Sequence, residues 1–165
     1  MVFASSRLHW LVYGLLACLL MMPQAAQAAA PAVALYYGRT IPLEEFRTFD
    51  IVVVEPDHGH DPVRYQASGS TLYAYVSVAE AHPSRAYYAN IPPSWKMARN
   101  GQWNSDVLDQ TPEAWPDFFA TRVVGPLWER GYKGFFLDTL DSYRLAEKFD
   151  ETAQQEGLVR VIETL

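Results

Sequence analysis

The sequence predicts an α/β fold in which helices cover a parallel sheet. Segments with helical spacing of apolar residues alternate with short runs of strand-forming residues. These runs are apolar on both faces, as strands are when helices cover a parallel sheet on each side. Four such runs occur, at residues 32–38, 50–56, 71–81 and 131–138.

The first three strands are joined by short helical segments. Residues 41–49 place Leu43, Phe46 and Phe49 at helical spacing, and residues 61–69 read as a short helix that ends at a glycine. After the third strand, the proline-rich stretch that precedes the next helix predicts irregular structure.

The helix before the fourth strand begins near Thr111-Pro112, where a capping residue precedes a proline in the first turn. Pro116 and Gly125-Pro126 are expected to distort it, because proline removes a backbone donor. Its apolar stripe consists of Trp115, Phe118, Phe119, Val123 and Leu127.

The fourth strand is expected to lead into a helix that runs to about Lys148, and residues 158–165 are predicted to be helical. Four βα units make half of a TIM (β/α)8 barrel, which typically needs ~250 residues. About 137 residues follow residue 28. The alternatives are a small open α/β sheet or a truncated barrel. We expect the second, a (βα)4 portion of a TIM barrel over residues 32–165, because no turn signal follows the last apolar run.

Residues 1–28 have the features of a secretory signal peptide. Arg7 precedes the apolar stretch 11–22, which is too short to span a bilayer, and Ala26-Gln27-Ala28 forms a small-residue cleavage site. An uncleaved anchor is the alternative. Cleavage removes Cys18, the only cysteine, so the predicted mature protein is exported to the periplasm without a disulfide.

The formal net charge is −6, and it becomes −7 when Arg7 is removed with the leader. This balance argues against nucleic acid or an anionic membrane surface as a partner. It is compatible with a cationic substrate, such as a sugar polymer that carries free amines.

Polar side chains recur where the predicted strands end, and parallel α/β folds place their chemistry at that edge. The first strand ends in two tyrosines, and the third carries Tyr75 and Ser77 along its length. Carboxylates end the later three strands, namely Glu55, Glu80 and Asp138.

Asp138 and Asp141 follow the last strand three residues apart. A lone aspartate at a strand end is often the cap of the next helix. Asp141, which precedes a helical run, is the better candidate for a cap, whereas Asp138, nearest the strand, is the better candidate for catalysis.

Cleavage of a glycosidic bond needs one carboxylate that stabilises an oxocarbenium-like centre and another carboxyl that protonates the leaving oxygen. Aromatic side chains that stack on sugar rings are expected to line the groove. The candidates are Tyr36, Tyr37, Tyr75 and Trp103.

Two other functions remain open from the residues alone. Asp57, His58 and His60 could hold a divalent metal ion for hydrolysis. A carbohydrate-binding remnant that keeps the aromatic groove without turnover is the non-enzymatic alternative.

Four blocks of sequence resemble the TIM-barrel glycoside hydrolases of the endo-α-1,4-polygalactosaminidase type, in that family's order. They are residues 49–55, 75–80, 103–105 and 131–143. Within the family, the likeness is to the hydrolase domains of bacterial exopolysaccharide hydrolase/deacetylases. Ala79, where close relatives have glycine, and His60 depart from the family's pattern.

The resemblance implies retaining cleavage of α-1,4-linked galactosamine polymers, with no cofactor or metal and with Asp138 as a catalytic carboxylate. It implies that the second catalytic carboxylate, a glutamate, lies on a later strand outside these residues. The implied partners are an amino-sugar exopolysaccharide and the machinery that exports it. Substrate contacts are expected from Glu55, Tyr75, Ser77, Glu80, Trp103, Asn104 and Asp141.

Overall fold

The computed structural model describes residues 30–40, 43–66 and 69–165. The predicted signal peptide lies outside these residues. The strands among them are β1 Val33–Tyr36, β2 Ile51–Val54, β3 Thr71–Ser77, β4 Glu80–Ala81, β5 Lys96–Asn100, β6 Ser105–Leu108 and β7 Gly134–Asp138. The helices are α1 Leu43–Phe46, α2 Pro62–Gln66, α3 Trp115–Phe118, α4 Gly125–Glu129 and α5 Glu151–Thr164.

The four predicted strands form one parallel sheet in the order β1-β2-β3-β7. The register pairs Tyr36 with Val54 at the ends of β1 and β2, and Ser77 with Asp138 at the ends of β3 and β7. The prediction of a parallel sheet is confirmed, and the carboxyl ends of all four strands lie at the same edge.

The two faces of this sheet differ in burial. One face packs against the helices through the buried side chains Val52, Val54, Leu72, Ala74 and Val76. The opposite face contains Val33 and Leu35, which are 50% and 55% exposed, and Phe136, which is 38% exposed. Paired residues share a face in a parallel sheet, so this open side is the one that would line the interior of a closed barrel.

Gly134 lies on that open face beside its cross-strand partner Tyr73. A Cβ atom at this position would lie 2.2 Å from Cε1 of the Tyr73 ring, which explains the glycine at the start of β7.

The predicted third strand, 71–81, ends at Ser77, so Glu80 does not end a parallel strand. Residues Glu80–Ala81 and the region predicted to be irregular form an antiparallel sheet in the order β4-β6-β5. Glu80 pairs with Val107, and the β5–β6 register shifts between Lys96 and Ala98. The prediction was wrong here because these strands are short and their pairing, rather than a strong local pattern, stabilises them.

The helical segment that lies between β6 and β7 along the chain is distorted, as the positions of Pro116 and Pro126 predicted. It begins at Trp115 rather than near Thr111, and a π-helical segment, Phe119–Val124, joins α3 to α4. The Gly125 N–H bonds to the Ala120 carbonyl. Because Pro126 lacks an N–H and its ring crowds the preceding turn, the hydrogen-bond pattern shifts by one residue at this point.

The predicted helix that directly follows the fourth strand was wrong, and so was the capping role of Asp141. A short 3₁₀ turn, Ser142–Leu145, occupies this position, and the Asp141 side chain makes no capping hydrogen bond. The cap is Asp150, whose Oδ1 accepts a 3.1 Å hydrogen bond from the Ala153 N–H at the start of α5. In the described part of the chain, no helix has the length and apolar character that crossing a membrane requires.

Candidate active site

The carboxyl ends of the parallel strands bring polar side chains to one edge of the sheet. Tyr37 follows β1, Glu55 follows β2, and β3 and β7 end at Ser77 and Asp138. Parallel α/β folds carry their reacting groups at this edge, because the loops that follow the strands can vary without disturbing the core.

Asp138 is half-buried, and its Oδ2 accepts a 2.7 Å hydrogen bond from the Tyr75 hydroxyl. Burial, this hydrogen bond and the charge of Asp138 raise the pKa of Tyr75 above its ordinary value. The Tyr75 hydroxyl therefore keeps its proton and remains a donor. The other oxygen of Asp138, Oδ1, accepts no hydrogen bond from the residues that the structure describes.

Aromatic rings surround this carboxylate. The ring of Tyr75 stacks on Phe136 at 6.4 Å between centroids and meets the edge of Tyr37 at 5.4 Å. Burial raises the pKa of Tyr37, and the charges of Asp138 and Glu55 raise it further. Tyr37, which is 50% exposed, therefore lies in the field of both carboxylates at a surface that offers apolar ring faces.

Glu55 is bound on both oxygens by a single cation. Arg85 donates from Nη1 to Oε1 at 2.5 Å and from Nη2 to Oε2 at 2.9 Å, and it also contacts Oδ2 of Asp57 at 2.8 Å. Burial opposes the charge of Arg85, but the hydrogen bonds and charge of Glu55 outweigh it, so the pKa of Arg85 lies above its ordinary value. This bidentate geometry is the strongest form of a carboxylate–guanidinium pair.

Glu80 is only 6% exposed and is bound by neutral donors. Asn100 donates to Oε1 at 3.1 Å, Ser142 donates to Oε1 at 2.6 Å, and the Ser105 hydroxyl donates to Oε2. These contacts tie β4 to the other two strands of the antiparallel sheet and to the turn after β7.

The hydroxyl of Ser77 contacts protein groups rather than open solvent. It lies 2.8 Å from the Glu80 carbonyl and 2.8 Å from Oγ1 of Thr139. Ser77 therefore links the end of β3 to the segments that follow β3 and β7.

Trp103 and Asn104 lie in the turn between β5 and β6. Trp103 is 68% exposed, and Asn104 has a φ of 52° and accepts a hydrogen bond from Arg99. Within the described residues, no hydrogen bond or ring contact joins this turn to Asp138. Asp141 is exposed on the turn after β7.

The alternative metal site does not assemble in the described residues, where no group of three or more His, Asp or Glu side chains is arranged to hold an ion. Instead, Nδ1 of His58 and Nε2 of His60 lie 3.1 Å and 3.0 Å from the same acceptor, the Gly38 carbonyl. The two imidazoles hold the loop that contains Tyr37.

Sequence reasoning missed two residues at this edge, Arg85 and Thr139. The adjacent carboxylates Glu55 and Asp57 indicate that a cation is needed, but no local pattern identifies which basic residue supplies it. Thr139 stands inside the motif that carries Asp138, and nothing in its spacing distinguishes it from an ordinary turn residue.

The chain is similar to solved structures of glycoside hydrolases. With the glycoside hydrolase domain of PelA from Pseudomonas aeruginosa it shares 33% identity and a TM-score of 0.64, over 82% of this chain and 54% of that one. With Ega3 from Aspergillus fumigatus, solved in complex with galactosamine, it shares 12% identity and a TM-score of 0.64, over 81% and 53% of the two chains. With the α-galactosidase TtGalA from Thermus thermophilus the values are 17% and 0.58, over 81% and 36%.

The last two likenesses, at low identity, concern the fold alone. The parallel sheet is a (βα)4 portion of a TIM barrel, and the chain spans about half the length of the PelA and Ega3 chains. A comparison with curated proteins gave no match. The model of glycoside-hydrolase family GH114 matches residues 21–164. The chain therefore belongs to glycoside-hydrolase family GH114.

Proposed function

We propose that the protein hydrolyses an α-1,4-linked, galactosamine-containing exopolysaccharide with retention, and that Asp138 is one of its two catalytic carboxylates. The observation that carries this proposal is the state of Asp138. One of its oxygens is held by Tyr75, and the other accepts no hydrogen bond in the described part of the chain, at the edge where parallel folds carry their chemistry.

Asp138 acts on the anomeric carbon of the bound sugar. As the glycosidic bond breaks, positive charge develops on that carbon, and the unbonded Oδ1 stabilises it and forms the covalent bond that retention requires. The departing oxygen takes its proton from the second carboxyl, and water later releases the sugar. Tyr75 holds Oδ2, so the carboxylate keeps one orientation throughout.

The amino sugar fits the charge of this edge. The charges of Glu55 and Asp138 both raise the pKa of Tyr37, and of these two carboxylates only Glu55 is paired with an arginine among the residues that the structure describes. A protonated amine on the sugar would supply the cation that the remaining carboxylate lacks. The four sequence blocks that resemble the endo-α-1,4-polygalactosaminidases support the same class of ligand.

The substrate contacts predicted for Glu55, Tyr75, Ser77, Glu80, Trp103, Asn104 and Asp141 stay part of this proposal. Tyr75 is nearest to the chemistry, because its hydroxyl donates to Asp138 and its ring meets the edge of Tyr37, whose pKa the charge of Glu55 also raises. The exposed Trp103 offers a ring for a more distant sugar of the polymer.

The test is turnover of α-1,4-linked galactosamine oligomers by the complete polypeptide as the cell makes it, followed by NMR of the first product formed. We expect the α-anomer to appear first. Initial formation of the β-anomer would contradict retention, because a water would then attack directly. Equal cleavage of fully N-acetylated oligomers would contradict recognition of the free amine.

A second candidate function is carbohydrate binding without turnover. Of the three carboxylates that the sequence places at strand ends, Glu55 and Glu80 have both oxygens hydrogen-bonded, and only Asp138 keeps one oxygen unbonded within the described residues. A single such carboxylate binds an amino sugar but does not complete a two-carboxylate mechanism. Oligomers that are bound but not hydrolysed by the complete polypeptide would favour this second function.

We also propose that the protein is exported to the periplasm and works beside the machinery that exports the polysaccharide. The basic start, apolar core and small-residue cleavage site at residues 7–28 support this proposal. Amino-terminal sequencing of protein from the periplasm should begin after Ala28 or Ala30. An intact Met1 in the membrane fraction would contradict it.

A further inference from the structure

The residue that follows Asp138 has an unusual backbone conformation. Thr139 has a φ of 63°, and the only other non-glycine residue with a positive φ in the described part of the chain is Asn104. Asparagine adopts this left-handed conformation readily, whereas a β-branched residue does so at a cost, since its branched Cβ crowds the backbone. Such strain persists only where surrounding contacts impose it, and it concentrates at functional sites.

The contacts that impose it come from the hydroxyl of Thr139. Oγ1 accepts a 3.1 Å hydrogen bond from the Ala79 N–H, lies 2.8 Å from the Ser77 hydroxyl and lies 2.6 Å from the Asp138 carbonyl. One hydroxyl thus joins the residue after β7 to the segment after β3.

The Asp138 carbonyl accepts two hydrogen bonds, one at 2.6 Å from the Thr139 hydroxyl and one at 2.9 Å from the Val78 N–H. The Ser77 hydroxyl donates to the Glu80 carbonyl at 2.8 Å and lies 2.8 Å from Oγ1 of Thr139. The two hydroxyls thus link the turn after β7 to β4.

The other end of the same turn is held in a similar way. The Ser142 N–H bonds to the Thr139 carbonyl at 3.2 Å, and the Ser142 hydroxyl donates to Oε1 of Glu80 at 2.6 Å. The turn from Thr139 to Ser142 is thus fixed at both ends by the segment between Ser77 and Glu80. Asp138 stands at the start of this turn, with its backbone held by Val78 and its side chain by Tyr75.

A residue that only had to make the turn would be glycine or asparagine, which adopt a positive φ with little strain. We propose that Thr139 is a positioning residue: its hydroxyl holds the backbone after β7 in the left-handed conformation that aims the Asp138 carboxylate at the sugar. This inference rests on the proposed function of Asp138.

Three variants at one position separate the hydroxyl from the backbone. Thr139→Ser keeps the hydroxyl, Thr139→Val keeps the shape without it, and Thr139→Gly removes both the hydroxyl and the strain. In the complete polypeptide, Thr139→Val and Thr139→Gly should each lower kcat on galactosamine oligomers by roughly 10- to 100-fold with KM nearly unchanged, since small misplacements of a reacting group have effects of this size. Thr139→Ser should keep kcat within about 3-fold of the parent, because its hydroxyl can make the same contacts.

Two readouts do not depend on turnover. Amide hydrogen exchange at Ala79 should be faster in Thr139→Val and Thr139→Gly but not in Thr139→Ser, because only serine keeps an acceptor for that N–H. Thr139→Gly should melt at a higher temperature than Thr139→Val, although both have lost activity, because glycine relieves the strain that valine retains. If Thr139 had only a structural role, the three variants would rank in the same order by activity as by melting temperature.

The outcomes separate this inference from the proposed function. If Asp138→Asn abolishes turnover while Thr139→Val keeps kcat within 2-fold of the parent, the positioning role is wrong and the proposed function stands. If Asp138→Asn retains turnover, the proposed function is wrong and the inference fails with it. If Thr139→Val does not fold, the kcat values and the Ala79 amide exchange of Thr139→Gly and Thr139→Ser provide the same comparison of a side chain without and with the hydroxyl.

Discussion

The ends of β2 and β7 both carry a carboxylate at the same edge of the sheet, but the two are held in opposite ways. Glu55 has both oxygens bound by Arg85, with distances of 2.5 Å and 2.9 Å. Asp138 is held on one oxygen by a neutral hydroxyl, and its backbone is fixed by Val78 and Thr139. Arg85 thus neutralises the charge of Glu55. Among the described residues, only neutral groups hold the Asp138 carboxylate, so it is oriented and keeps its charge.

This difference indicates different roles. A carboxylate paired with a guanidinium in a partly buried place contributes mainly to the geometry of its surroundings, and removing its partner is costly. A carboxylate held by a neutral donor keeps its charge available for a positive centre that develops during a reaction. We therefore expect changes at Asp138 to affect turnover, and changes at Glu55 and Arg85 to affect stability.

The largest expected effect is that of Asp138→Asn on turnover. Asparagine can still accept the Tyr75 hydrogen bond, so the melting temperature should shift little. The lost charge stabilises the transition state more than the ground state, so kcat should fall by ~10³-fold or more in steady-state assays of the complete polypeptide. Asp117→Asn, the same change at an exposed helix position, is the matched control. If the Asp138→Asn protein keeps most of its kcat, Asp138 does not differ from Glu55 by a role in turnover.

Arg85→Met should have the largest effect on stability. It leaves the Glu55 charge partly buried without its partner, and urea unfolding should show a loss of ~2–4 kcal/mol. Adding Glu55→Gln to this variant should restore part of the loss, because the unpaired charge is then absent. Arg122→Met, at an exposed position of the π-helical segment, controls for loss of an arginine. If the Arg85→Met and Arg122→Met variants are equally stable, the Arg85–Glu55 ion pair contributes nothing to the free energy of unfolding.

Tyr75→Phe tests the neutral donor to Asp138. Losing this hydrogen bond should lower stability by ~1 kcal/mol and kcat by roughly 10-fold, because the carboxylate is less well oriented. Tyr73→Phe, one pleat earlier on the same face of β3, is the matched control for removing a tyrosine hydroxyl. A Tyr75→Phe enzyme with unchanged kcat would show that the orientation of Asp138 comes from its backbone contacts alone.

A smaller effect on stability is expected when pH changes the charge of His60, which is buried in the loop after β2. Burial lowers the pKa of His60, with His58 and Arg130 acting in the same direction against the Gly38 hydrogen bond and the charge of Glu55. The unfolded chain therefore binds this proton first as pH falls below ~6.5. The stability that neutral His60 contributes is complete above that pH and decreases as pH falls toward the lowered pKa of the folded state.

Urea midpoints between pH 8 and pH 5 measure this loss. His60→Gln keeps a donor for the Gly38 carbonyl but does not titrate, so its stability should fall less over the same range. A parent protein and a His60→Gln variant with parallel pH profiles would exclude His60 as the cause.

The smallest effect is expected from Asp141→Asn. The side chain is exposed and makes no capping hydrogen bond, so stability should change by less than ~0.5 kcal/mol. Asp150→Asn versus Asp150→Ala tests the cap that the structure does contain, and the alanine variant should lose ~1 kcal/mol. A larger loss of stability in Asp141→Asn than in Asp150→Ala would reverse this assignment.

The sequence by itself determined the parallel strands and the carboxylates that end them. Both are local: runs such as residues 51–54 are apolar on both faces, and Glu55 and Asp138 stand directly where a run stops. A strand that is apolar on both faces leaves only its ends for polar side chains, and parallel α/β folds carry their chemistry at the carboxyl end. Position along the strand therefore already predicts which residues reach that edge.

Only the tertiary structure decided what each carboxylate contacts. Arg85 is 30 residues from Glu55 along the chain, and Thr139 contacts residues about 60 positions earlier, so no local pattern can contain these pairs. The short antiparallel strands likewise depend on cross-strand partners, and the choice of Asp150 over Asp141 as a helix cap depends on the backbone after the turn. The path of the loops sets these partners, and it follows from the packing of the whole sheet and its helices rather than from the residues on either side.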